Sequence, residues 1–171
     1  IADDLTGATD LALMLTRAGM RTVQVMQIPD ASQRFDGFDA VVVALKSRTI
    51  PAADAVRQSL AACEALLACG AKQIFFKYCS TFDSTDAGNI GPVADALLDR
   101  LKADFTIACP AFPTNKRTIY MGNLFVGDVP LAESPMKDHP LTPMRDSNLV
   151  RVLARQTKHK VGLVPFATVD K

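Results

Sequence analysis

Short apolar runs alternate along this chain with longer stretches of helical period. After Ile1 and Ala2 comes a polar turn, and then Leu11, Met14, Leu15 and Ala18 fall on one helical face. Thr6 is a candidate N-cap for that helix, and Gly19 is a natural stop. Residues 21–28 (RTVQVMQI) alternate with strand period until Pro29. Residues 40–45 (AVVVAL) are continuously apolar, the pattern of a strand buried on both faces. Pro51 can open a helix that carries Val56, Leu60, Cys63 and Leu67 on one side and closes at Gly70. Residues 73–77 (QIFFK) read as a third buried strand. Ile90, Val93, Ala94, Leu97, Leu98 and Leu101 form the cleanest amphipathic helix, and residues 105–108 (FTIA) read as another strand.

The texture then changes. Residues 118–121 and 123–126 read as extended, and Gly127-Asp128 fits a two-residue hairpin turn into residues 129–131. Residues 132–143 are rich in proline and polar groups, as an ordered loop would be. Asp146 or Ser147 can cap a short helix through Leu149, Val150 and Leu153, and residues 161–164 read as one more strand. Repeated strand–helix units predict an α/β fold: a mostly parallel sheet with helices on both faces, plus a β-hairpin excursion in the second half. Ligands of such sheets bind at the carboxyl ends of the strands. That rule selects residues 3–7, 46–49, 77–89 and 109–117, all of them polar stretches after apolar runs.

Bulk composition narrows the function without naming it. The 171 residues suit one domain, 49 % are hydrophobic and 22 % charged, and the net charge is +1. No whole-chain field draws nucleic acid or an anionic membrane, and no stretch is apolar enough to span a bilayer. Cys63, Cys69, Cys79 and Cys109 lack C-x-x-C spacing and only two histidines accompany them, which argues for free thiols in a reducing cytoplasm over a zinc site. The chain starts at Ile1 without a methionine, and residues 169–171 carry no terminating feature. Both ends read as those of a fragment of something longer.

Asp3 and Asp4 stand at a strand end just before Thr6-Gly7. One of them can orient or deprotonate a substrate hydroxyl, or the pair can hold a metal. The plainer alternative has Asp4 capping the helix and Asp3 solvated. A haloacid-dehalogenase phosphatase would need an aspartate nucleophile where Ala2 stands, and an alanine cannot attack phosphorus. Residues 77–89 (KYCSTFDSTDAGN) gather Lys77, the hydroxyls of Ser80, Thr81, Ser84 and Thr85, and a helix start after Gly88, which together suit a carboxylate or phosphate. The alternative is a polar loop bonded to its own backbone. Lys116 and Arg117 can clamp an anion or form a solvated basic turn. His139 reads as fixing its own loop. Neither a P-loop nor a G-x-G-x-x-G motif occurs.

IADDLTGATDLA (1–12), FKYCSTFDSTDAGNIGPV (76–93), CPAFPTNKRTIYMGNLFVGDVPLAES (109–134) and HPLTPMRDSNLVRVL (139–153) resemble the amino-terminal domain of the four-carbon acid sugar kinase family. The KYCSTFDST and NLFVGD forms are most similar to its 3-oxo-tetronate kinase branch. The resemblance implies that residues 1–171 are the sugar-acid-binding domain of a two-domain cytoplasmic enzyme whose carboxyl-terminal, ATP-binding domain lies outside this chain. The reaction it implies is transfer of phosphate from ATP to the C4 hydroxyl of a 3-oxo-tetronate, with ATP and Mg²⁺ held mainly by that other domain. Asp4 and Asp3 are then the catalytic candidates. Thr6, Lys77, Ser80, Thr81, Asp83, Ser84 and Arg117 are the substrate-holding candidates, and a homodimer remains open. Lys116 departs from the small residue, often glycine, that the family places before Arg117. A reading from another class is a non-catalytic module that binds small sugar acids.

Overall fold

A computed structural model describes residues 1–30 and 32–170; Ala31 and Lys171, the latter part of the chain end discussed above, lie outside the described residues. The chain divides into two compact units, Ile1–Tyr78 and Cys79–Lys171.

In the first unit, β1 (Thr22–Val25) and β2 (Ala40–Val43) pair in parallel, with Thr22 opposite Ala40. Ala2 extends this arrangement through single parallel bridges to Ala44 and to Lys77. Its N–H donates to Val43 O, the Asp3 N–H donates to Lys77 O, and the Leu45 N–H returns to Ala2 O. Residues 73–77 thus join by one bridge and are not a regular strand.

Helix α1 (Leu5–Arg17) lays Leu5, Leu11, Ala12 and Leu15 against the buried Ala2, Ala8, Val42 and Ala44. Met14, expected on that face, is 40 % exposed. Asp4, not Thr6, is the N-cap; its carboxylate accepts from the Gly7 N–H at 2.7 Å. Gly19 stops the helix with φ +92°, a left-handed conformation that glycine adopts without a Cβ penalty. Helix α2 (Ala52–Ala68) buries Ala55, Ser59, Ala62, Cys63 and Leu66. The buried stripe shares Cys63 with the expected Val56–Leu60–Cys63–Leu67 face but is otherwise rotated from it.

In the second unit, α3 (Ile90–Leu101) lies where the periodicity placed it and buries Ile90, Gly91, Val93 and Leu97. β3 (Arg117–Tyr120), β4 (Asn123–Val126) and β5 (Val129–Pro130) form an antiparallel sheet. Gly127-Asp128 is the two-residue turn expected from sequence, with Val126 opposite Val129. Met121 and Gly122 make the other turn with φ of +48° and +79°, the positive values that tight hairpins need. The helix α4 (Leu149–Ala154) is capped by Asn148, whose side chain accepts from the Arg151 N–H at 3.1 Å. Asp146, one of the expected caps, instead accepts from the Asn148 N–H and pairs with Arg151. A last short helix, α5, spans Phe166–Val169.

The protein is therefore mixed α/β, with a two-stranded parallel sheet and a separate three-stranded antiparallel one. This differs from the expected mostly parallel sheet covered on both faces. The first apolar run contributes a single bridged residue, and residues 105–108 and 161–164 carry strand-forming side chains but pair with nothing among the described residues.

Gly91 has no room for a side chain. An added Cβ would lie 2.4 Å from Gln156 Cβ and 2.6 Å from its backbone carbon. In an open helix Gly→Ala stabilises by roughly 0.5–1 kcal/mol. Here we expect Gly91→Ala to destabilise the protein by about 1–3 kcal/mol through overpacking, read as a lower urea midpoint. A raised midpoint would show that Gln156 yields freely.

Candidate functional site

Three segments end together in the first unit: residues 2–3, 44–48 and 77. Their backbones interlock, since the Ser47 and Arg48 N–H groups both donate to Asp3 O at 2.9 and 3.2 Å. This places Asp3, Asp4, Arg48 and Lys77 at one edge. Asp3 is buried, and Arg48 holds both its oxygens, Nε to Oδ2 at 3.1 Å and the terminal nitrogen to Oδ1 at 3.0 Å. The same terminal nitrogen lies 2.8 Å from Asp4 Oδ1. Burial pushes the Asp3 carboxyl above its ordinary value, while the hydrogen bond and charge of Arg48 pull the other way.

Asp4 is more open than Asp3. Its Oδ1 is engaged by Gly7 and Arg48, and its Oδ2 has no hydrogen-bond partner among the described residues. Lys77 donates to Tyr78 O at 2.6 Å. Its Nζ and Asp4 Oδ1 both crowd the point where a Gly7 Cβ would sit, at 3.3 and 2.7 Å. Glycine at position 7 is thus a condition of bringing the lysine and the carboxylate together. Thr6 is exposed on the first turn of α1. Its N–H and that of Leu5 have no partner among the described residues, so α1 presents two open donors beside Asp4.

In the second unit, Thr81 Oγ1 donates to Asp83 Oδ1 at 2.5 Å, and Cys79 Sγ lies 3.0 Å from the same hydroxyl. Thr81 and Asp83 are buried and Ser80 is half-buried. Between them Phe82 is fully buried at φ +53°, a strained conformation for a residue with a bulky side chain. Ser84 faces elsewhere. Its hydroxyl donates to Gln156 Oε1 at 2.8 Å and accepts from the Ile90 N–H at 3.4 Å.

This network alters one expectation about α3. The Ile90 N–H goes to Ser84 and the Gly91 N–H to Gln156, and Pro92 has no N–H to offer. The helix end expected to hold an anion is filled by the protein's own side chains. Arg117 opens β3 behind Lys116, which sits at φ +57° in the left-handed region, where glycine would be easiest. The Arg117 guanidinium donates to Asn115 O, its buried Nε has no partner, and no carboxylate pairs with it among the described residues. His139 Nδ1 accepts from the Thr142 N–H at 3.1 Å and so fixes its own loop, as its sequence context suggested.

Arg48 is the residue that sequence reasoning left out. Its stretch, 46–49, was marked as a strand end, but nothing in the sequence shows that a guanidinium there reaches back 45 positions to Asp3. The described residues do not fit a metal. Both Asp3 oxygens and one Asp4 oxygen are already bound, and no group of three or more His, Cys, Asp or Glu side chains could hold an ion among the described residues.

In α/β proteins the ends of strands are where small molecules can bind, and comparison with known proteins says which family the chain belongs to. A model of the sugar-binding N-terminal domain family matches residues 1–171, and the chain belongs to that family. It is 71 % identical over its whole length to a 3-oxo-tetronate kinase of Burkholderia multivorans and 52 % identical to one of Salmonella typhimurium, spanning 40 % of each. A crystal structure of a Haemophilus influenzae DUF1537 protein matches 99 % of the chain, and 41 % of its own length, with a TM-score of 0.94 at 54 % identity. A Bordetella bronchiseptica DUF1537 domain, solved as a domain-swapped dimer with bound citrate, matches 90 % of the chain and 38 % of its own length at 0.71 and 33 % identity. The chain thus spans about 40 % of the length of the curated relatives it matches.

The Asp3 environment gives a pH signature. Its raised folded-state value means that the folded protein keeps this proton to higher pH than the unfolded chain does. Stability from this group is full below the unfolded value and falls as pH rises through the folded one. Arg48→Met leaves the burial and removes the opposing cation. We expect the pH-dependent fall in urea midpoint to extend to higher pH in Arg48→Met than in the parent. Superimposable profiles would mean that Arg48 does not set the ionisation of Asp3.

Proposed function

We propose that this chain is the substrate-holding part of an ATP-dependent kinase that phosphorylates the C4 hydroxyl of a four-carbon sugar acid, converting 3-oxo-tetronate to its 4-phosphate. The observation that carries the proposal is Asp4: a carboxylate pinned at a strand end by Gly7 and Arg48, with Oδ2 uncommitted. That oxygen can accept a hydrogen bond from the C4 hydroxyl and aim it for attack. Much of phosphoryl-transfer catalysis is positioning of this sort. Asp3 touches no substrate in this scheme; it is a positioning residue that acts through Arg48.

Lys77 and the open N–H groups of Leu5 and Thr6 offer the first unit a contact for anionic or hydroxyl oxygens. Taken by itself, the second unit offers Arg117 for a carboxylate, and Ser80 with the Thr81–Asp83 pair for hydroxyls. Ser84 is already bonded to Gln156 and serves to shape the loop. ATP and Mg²⁺ are assigned to the part of the full-length enzyme outside this chain, so the chain alone binds without turnover. The names of the relatives support the reaction, and the citrate in the Bordetella structure supports a preference for small hydroxy acids. The domain-swapped dimer of that protein makes a homodimer the assembly to test first.

The key variant in the full-length enzyme is Asp4→Asn, which keeps the helix cap and removes the charge. We expect turnover to fall at least about 100-fold while the thermal midpoint stays near the parent's. Turnover within a few-fold of the parent would remove Asp4 from the reaction. Asp4→Ala should lose the same activity and, in addition, about 1 kcal/mol of stability through the lost cap.

Calorimetric titration of the chain addresses the substrate. We expect heat of binding with 3-oxo-tetronate, threonate or erythronate and none with Mg-ATP. ATP binding without acid binding would assign the wrong half of the kinase to this chain.

A further inference from the structure

Residues 104–111 stand apart from the rest of the second unit. They belong to no helix or strand, and no backbone or side-chain group in them makes a hydrogen bond among the described residues. Phe105 is 81 % and Ile107 80 % exposed, and Thr106, Ala108 and Cys109 are exposed with them. Residues 160–164, in the same unit, repeat the pattern. They make no backbone hydrogen bond, and Leu163 and Val164 are exposed, followed by Phe166 and Val169 on α5.

Such segments are unlike ordinary surface loops. Phe, Thr, Ile and Val favour strands, and residues 105–109 and 161–164 contain no charge. Proteins protect a permanent free edge with lysines, inward charges, prolines or bulges. Here Pro110 and Pro165 serve at the margins, with Asp104 and Lys160 at the outer ends of the two segments and no charge within 105–109 or 161–164. A run of free N–H and C=O groups flanked by exposed Phe and Ile side chains is a template for an added strand.

We propose that residues 105–109 and 161–164 form a docking edge that is completed by a β-strand and apolar cover from the same polypeptide, contributed by the part of the full-length protein outside these 171 residues. The relatives supply the room for this, because the chain accounts for only about 40 % of their length. An occupant tethered in the same chain is also present at high effective concentration, so the edge is covered as soon as the protein folds. A second copy of the chain would have to find the edge by diffusion and would leave it open in dilute solution. The inference rests on the unpaired backbone and on chain length, and it stands or falls independently of the substrate assignment.

The experiment places a photo-crosslinking phenylalanine analogue at Phe105 of the full-length protein, with peptide mapping of the product. A crosslink within one polypeptide to a peptide outside residues 1–171 is the expected result. A crosslink within residues 1–171 or between two polypeptides would overturn the proposal. Hydrogen exchange on the unmodified full-length protein gives a reading free of substitution. Amides 105–109 should exchange at least ~100-fold more slowly than an unstructured peptide, at all protein concentrations. Unprotected amides, or protection that disappears on dilution, would overturn it.

Discussion

The Arg48 guanidinium holds together two adjacent carboxylates that would otherwise repel each other at the end of a buried segment. It engages both oxygens of Asp3 and one of Asp4. Burying Asp3 as a carboxylate is unfavourable by itself, and the upward shift of its pKa records that cost. A paired, hydrogen-bonded cation is what makes the burial tolerable, and a guanidinium matches a carboxylate better than a lysine would because its fork meets both oxygens. A buried ion pair of this kind is weak evidence for stability and better evidence for a fixed geometry. The geometry it fixes is that of Asp4. Oδ1 is tied to both the helix cap and Arg48, and Oδ2 carries no hydrogen bond among the described residues.

Elements whose signal is local were legible in the sequence. Helix α3 and the Gly127-Asp128 hairpin were readable because periodicity and turn chemistry lie within a dozen residues. On α2 the large apolar residues Val56, Leu60 and Leu67 mark a face that shares only Cys63 with the buried stripe. The buried stripe instead carries Ala55, Ser59 and Ala62 beside Cys63 and Leu66. Of the two α1 caps the sequence offers, Asp4 acts and Thr6 does not, and at α4 Asn148 acts in place of Asp146 or Ser147. Several polar residues near a helix start can each serve as a cap, and tertiary contacts choose among them.

The strand-end rule selects residues 3–7, 46–49 and 77, which do meet at one edge of the first unit. It could not say which groups in them are already occupied. Ser84 and the N-terminus of α3 look like an anion site in the sequence, yet a glutamine 72 positions away consumes their donors and acceptors. Arg48 was overlooked for the complementary reason, since its value depends on a partner 45 positions back. Occupancy of this kind is non-local, and no spacing within a motif encodes it.

The two helix starts show how one principle gives opposite outcomes. At α3 the first two N–H groups are capped by Ser84 and Gln156 and the third position is proline, so the end is chemically closed. At α1 only the Gly7 N–H is capped, and Leu5 and Thr6 keep theirs open beside Asp4 and Lys77. An incoming oxygen at α1 meets unsatisfied donors and a nearby ammonium, whereas at α3 it would have to displace existing bonds. The absence of a Cβ at Gly7 is what allows the lysine to approach that end. The polar chemistry of the first unit therefore converges on the start of α1, at the point where the backbone of Asp3 is locked between its two neighbouring segments.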